Sequence, residues 1–204
     1  LAVVEKISRE VLPEGYRIEF TGGAKSMRES IGSFGFAFIL GVVIAYMILA
    51  SQFNNYVHPV IVLLAMPFAI SGGLFGLFLA NQSINLYSMI AFILLMGIVK
   101  KNSILLVEFT NHVRAEKAKP VREALLEACP IRLRPILMTT VTTIAAALPP
   151  ALALGPGAET RVPMAVAVIG GVLLSTLLTL FVVPCAYELF SALEKKRHPL
   201  KASA

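Results

Sequence analysis

Residues 30–99 read SIGSFGFAFILGVVIAYMILASQFNNYVHPVIVLLAMPFAISGGLFGLFLANQSINLYSMIAFILLMGIV, with no Asp, Glu, Lys or Arg anywhere in the stretch. A bilayer-crossing helix needs about 20 mostly apolar residues, so there is room here for several. Residues 135–158 and 162–187 are likewise free of charge. Across all 204 residues, 57% are hydrophobic and 15% charged, against roughly 25% charged in an average soluble domain. A soluble domain this short keeps too much surface to hide that apolar content. The fold class expected is an all-α membrane protein with about five spans.

Working outward, the spans fall at about 33–50, 59–80, 86–109, 133–152 and 163–189. Ser51 to Tyr56 form a polar break after the first. Pro67, Gly72, Gly73 and Gly76 lie inside the second, where small residues let helices approach closely. Pro149-Pro150 interrupts the fourth, and Gly155-Pro156-Gly157 turns the chain into the fifth. Residues 120–129 form a short amphipathic helix along the membrane surface, with Val121, Leu125 and Leu126 on one side. Residues 1–30 have a different character. Val3, Val4, Ile7, Val11 and Leu12 keep helical spacing, Tyr16 to Phe20 alternate like a strand, and Thr21-Gly22-Gly23 is a turn. One helix and one strand make no core, so this α/β remnant belongs to a larger domain. The chain opens on Leu rather than Met, which points to a fragment or a processed chain.

A net charge of +6 invites a nucleic-acid reading, but the basic residues sit at the ends of apolar segments, where topology wants them. There is no Trp and no basic–aromatic platform. Cys129 and Cys185 match no metal or disulfide spacing. The connection between the third and fourth spans carries Arg114, Lys117, Lys119, Arg122, Arg132 and Arg134, and the tail at 191–204 carries Lys195, Lys196, Arg197 and Lys201. Excess Lys and Arg mark the cytoplasmic side, so the third-to-fourth connection and the C-terminus are cytoplasmic and residues 1–30 lie outside.

Charges inside a membrane are costly and point to function. Lys101 is the leading candidate, with Asn102 beside it and Glu108 seven residues on along one helical face. Arg132 and Thr139 share a face of the next span. A desolvated lysine pairs with a carboxylate, and its charge then follows the carboxylate's proton. The structural alternatives stay open: Lys100 and Lys101 snorkelling to the interface, Arg132 and Arg134 as topology anchors, Glu108 as an interfacial residue, and Thr139, Thr140, Thr142 and Thr143 as interhelical glue. His58 and His112 sit at interfaces without metal geometry. The chain has no Asp at all, so a mid-membrane carboxylate partner for Lys101 belongs to another part of the protein.

Gly97-Ile98-Val99-Lys100-Lys101-Asn102-Ser103-Ile104-Leu105-Leu106-Val107-Glu108-Phe109 resembles a signature of the resistance–nodulation–division (RND) transporters, in their hydrophobe/amphiphile efflux branch. Arg132-Leu133-Arg134-Pro135-Ile136-Leu137-Met138-Thr139-Thr140 is similar to the signature that follows, and Phe181-Val182-Val183-Pro184 fits its closing motif. The resemblance covers essentially the whole chain. It implies the last five of twelve spans, preceded by the end of a periplasmic porter region. It further implies a homotrimeric proton antiporter of multidrug type in a bacterial inner membrane, with no cofactor beyond the proton gradient. A periplasmic adaptor and an outer-membrane channel would be its partners. In that pattern the relay lysine falls on Lys101 beside Asn102, the relay arginine on Arg132 and the relay threonine on Thr139. Lys100 stands where a small or apolar residue is usual, and the paired aspartates lie in an N-terminal half. Competing readings are an RND-fold protein-export or lipid transporter and a non-transporting fragment. A membrane enzyme fits least, for no nucleophile–base pair or metal cluster sits at a plausible depth.

Overall fold

The computed structural model describes residues 22–117, 119–153 and 155–197. These residues form six helices and, among the described residues, no strand: α1 Gly23–Phe53, α2 His58–Leu63, α3 Ala65–Leu79, α4 Leu86–Lys117, α5 Val121–Ala151 and α6 Ala158–Arg197. Five segments are long and apolar enough to cross a membrane, α2 and α3 counting together as one. The helix and strand expected over residues 1–20 lie outside the described residues, as does the end of the tail.

The chain divides into two compact units, residues 1–41 and 42–204. In the first, Gly22 takes a left-handed φ of 67° at the expected turn, and α1 starts on the next residue.

In the second unit, local chemistry sets the helix ends. Past Phe53 the chain reverses through Asn54 at φ 48°, and the Asn55 side chain accepts the Val57 N–H at 2.7 Å, as Asn does in turns. The expected second span is broken at Leu64. Pro67 has no N–H to offer the carbonyl four residues back, so the helix kinks just before it. Asn85 caps α4 reciprocally with Ser88: each backbone N–H meets the other's side-chain oxygen at 2.9 Å.

Four helices outrun the sequence reading: α1 begins at Gly23, within the segment read as soluble structure, and ends at Phe53, and α6 runs from Ala158 to Arg197. α4 continues past Phe109 to Lys117, and α5 runs unbroken from Val121 to Ala151. The amphipathic segment at 120–129 is therefore not a separate surface helix but the first turns of α5. Pro130 and Pro135 each remove one hydrogen bond without stopping it, and Pro149-Pro150 falls in its last turn. Its buried stripe is Ala124, Leu125 and Ala128, while Leu126 is exposed, because adjacent helix residues stand about 100° apart.

α6 is the hub, packing against α3, α4 and α5. It meets α3 backbone to backbone, where a Cβ added to Gly72 would stand 2.7 Å from the Gly170 carbonyl oxygen. Side chains elsewhere form two apolar clusters. One joins Leu95 and Val99 to Val168 and Val172, and the other joins Leu106 and Val107 to Val183 and Tyr187.

Candidate functional site

α4 and α5 open a cavity of about 420 Å³ between them, with Val172 of α6 in its wall. From α4 come Leu94, Gly97, Ile98, Lys101 and Asn102; from α5 come Thr139, Thr140 and Thr143. Helical spacing explains both sets, since residues three, four and seven apart share a face. Gly97 leaves open space where a side chain would project.

Each threonine hydroxyl in this wall donates to its own helix. Thr139 bonds the Ile136 carbonyl at 3.0 Å, Thr140 the same carbonyl at 2.9 Å, and Thr143 the Thr139 carbonyl at 2.8 Å. With its proton used, a hydroxyl keeps lone pairs to offer as an acceptor. The α5 wall is therefore a ledge of acceptors facing a lysine with three N–H donors. Thr140 also shares a hydrogen bond with Thr176 of α6 at 3.1 Å, tying the ledge to the hub helix. In the facing α4 wall Asn102 is buried, whereas Lys101 is exposed.

The other residues singled out in the sequence lie elsewhere. Lys100 is half-buried and does not line the cavity; Glu108 is exposed and does not line it either. Two helical turns, roughly 10 Å, separate Lys101 from Glu108 along the axis, which is too far for an ion pair. Arg132 sits two turns from Thr139. Its guanidinium lies over the Phe109 ring, 4.3 Å from the centroid, and its Nε has no hydrogen-bond partner among the described residues. Thr142 faces outward and bonds the Met138 carbonyl.

Sequence reasoning missed the contribution of α6. Ser175, Thr176 and Thr179 are buried on its packed face. Their three- and four-residue spacing within an uncharged span was the available signal.

A second polar cluster sits at the far end of α4. Arg114 Nη1 donates to the Tyr187 hydroxyl at 2.8 Å, and that hydroxyl donates to Asn111 Oδ1. The His58 ring stacks on Tyr187 at 5.4 Å, with Phe53 edge-on to it. Beyond it, Glu127 accepts from Lys117 and, at 2.7 Å, from Lys119, clamping the start of α5 to the end of α4. Hydrogen bonding and charge from Glu127 hold the Lys119 ammonium protonated to higher pH than usual.

The family model for AcrB/AcrD/AcrF proteins matches residues 1–191. The chain belongs to that family of RND transporters. It is a multi-pass membrane protein of that class. Two crystal forms of a heavy metal efflux pump have the same fold: one is 27% identical with a TM-score of 0.78 over 92% of this chain, the other 26% identical with 0.77 over 94%. The chain spans 18% and 19% of the length of the pump chain in those two crystal forms.

Proposed function

We propose that this chain is the C-terminal membrane part of a proton-driven efflux pump and that the cavity of α4 and α5 is one side of its proton relay. The observation that carries this reading is the convergence of Lys101, Asn102 and Thr139 on one cavity. Lys101 is the switch. A membrane lysine is held charged by a carboxylate partner, and protonating that carboxylate removes the attraction. Since these residues include no Asp, the partner carboxylates belong to the N-terminal half of the pump. Once released, the Lys101 ammonium turns to Asn102 and to the hydroxyl ledge of Thr139 and Thr143. The helices repack, and the motion reaches the periplasmic part through α1. Arg132, stacked on Phe109, stands toward the cytoplasmic mouth of the same path.

The intact protein works as a homotrimer in a bacterial inner membrane, with a periplasmic adaptor and an outer-membrane channel. Residues 1–30 are periplasmic and the C-terminus is cytoplasmic. The positive-inside distribution of Lys and Arg supports that orientation.

Two cargo classes compete. The signature residues favour hydrophobic or amphiphilic compounds of the multidrug type. Similarity to a heavy metal efflux pump favours metal ions as substrate.

One experiment tests the relay and sorts the cargo. Lys101→Ala is introduced into the full-length protein, and efflux of a panel of dyes, detergents and soft metal ions is measured at equal membrane abundance. Loss of export with intact folding supports the relay, and the class of compound retained in the cell names the cargo. Normal export by the variant sinks the relay.

A further inference from the structure

α4 and α6 run side by side in the same direction. Leu95 packs on Gly171 near one end, and Asn111 accepts from Tyr187 near the other. Both contacts join residues 76 positions apart. Equal rise per residue keeps that register in between. Ser103 and Thr179 have the same separation and fall midway, so they stand level on facing helices.

Their neighbours agree with this register. One turn to either side of Ser103 lie Val99 and Val107; the first packs with Val172 and the second with Val183. The two hydroxyls thus form a thin polar layer between two apolar clusters. Ser103 is 0% exposed and Thr179 3%, and neither Oγ has a hydrogen-bond partner among the described residues. Thr110, Thr139, Thr140 and Thr143 all donate back to their own helix; this pair does not. A buried hydroxyl left unbonded is unfavourable, and the usual remedy is an internal water making about three hydrogen bonds.

We propose that Ser103 and Thr179 together hold one buried water molecule, and that this water extends the polar track from the Lys101 cavity into the α4–α6 interface. Thr140 lines the cavity, shares a hydrogen bond with Thr176, and Thr176 is one turn from Thr179. Ser103 follows Asn102 directly. Hydroxyl, water and hydroxyl pass a proton by each oxygen accepting one and releasing another, so no net charge stays in the layer. The proton-carrying half of this inference rests on the relay reading; the water site itself does not.

The test uses the intact protein in lipid nanodiscs, imaged at a resolution that shows ordered solvent, with proton-coupled transport measured in parallel. The expected result is a solvent peak within about 3.2 Å of both Oγ atoms, absent in Thr179→Val and restored in Thr179→Ser. A direct Ser103–Thr179 hydrogen bond without a peak overturns the site. Severalfold slower transport in Thr179→Val, rescued in Thr179→Ser, supports the proton branch. Wild-type transport in Thr179→Val overturns the branch while leaving the water. If Lys101→Ala also transports normally, the failure belongs to the relay reading and the branch falls with it.

Discussion

Gly72 of α3 and Gly170 of α6 meet backbone to backbone: a Cβ on Gly170 would stand 2.6 Å from the Gly72 carbonyl oxygen, and one on Gly72 2.7 Å from the Gly170 carbonyl oxygen. Neither atom belongs to a flexible side chain, so neither can step aside. Gly170→Ala is expected to destabilise the bundle by about 1–3 kcal/mol, the usual cost of overpacking. Gly97→Ala, which adds its methyl to open space, should melt like the parent. Thermal melting of both variants in detergent distinguishes them, and equal Tm values would contradict the seam.

The Tyr187 hydroxyl serves two partners at once, Arg114 as donor and Asn111 as acceptor. Tyr187→Phe keeps the ring that stacks on His58 but strands a guanidinium and an amide. The expected loss is about 1–3 kcal/mol, read as a lower Tm. A variant as stable as the parent would mean that water replaces the hydroxyl without cost.

Arg132 over Phe109 joins α5 to α4 through charge and ring. A double-mutant cycle with Arg132→Gln and Phe109→Leu should return a coupling of about 0.5–2 kcal/mol. Additive effects would mean the stacking is incidental, leaving Arg132 to act through its charge alone.

Glu127 raises the Lys119 pKa above its ordinary 10.5, chiefly by hydrogen bonding and then by charge. A raised lysine pKa adds stability that is present below the unfolded-state value and is lost as pH climbs through the higher folded-state value. The Tm gap between the parent and Glu127→Gln should therefore be constant near neutrality and close at strongly alkaline pH. The gap will be small, because exposed ion pairs contribute little. A gap that widens with alkalinity would contradict the assignment.

Much of the membrane architecture was legible from charge alone. The charge-free stretch at 30–99 and the two that follow it imposed long apolar helices, and helices are what the chain forms. The polar break at Ser51 to Tyr56 and the start of α4 at Leu86 were readable because Asn and Ser act locally, through their own side chains. The extent of α5 was not. The sequence reading separated a surface helix at 120–129 from a span at 133–152 interrupted by Pro149-Pro150, but a proline removes only one helical hydrogen bond, and packing of Ala124, Leu125 and Ala128 compensates. At the site, Lys101, Asn102 and Thr139 line one cavity. Glu108 and Arg132 lie outside it, because a seven-residue repeat places residues on one face but two turns apart. The α6 hydroxyls went unread because Ser and Thr carry no charge to betray them, and only the facing helix gives them meaning.

The prolines of α5 have a mechanical consequence. Pro135 lies just below the threonine ledge, and Pro149-Pro150 just above it. Between them run about 13 residues, a rod of roughly 20 Å, with a weakened joint at each end. Bending at those two joints costs less than bending anywhere along the rod. Any tilt of the threonine ledge would be taken up at those two joints, as a rocker moves between two bearings, while the glycine-locked pair of α3 and α6 stands as the frame.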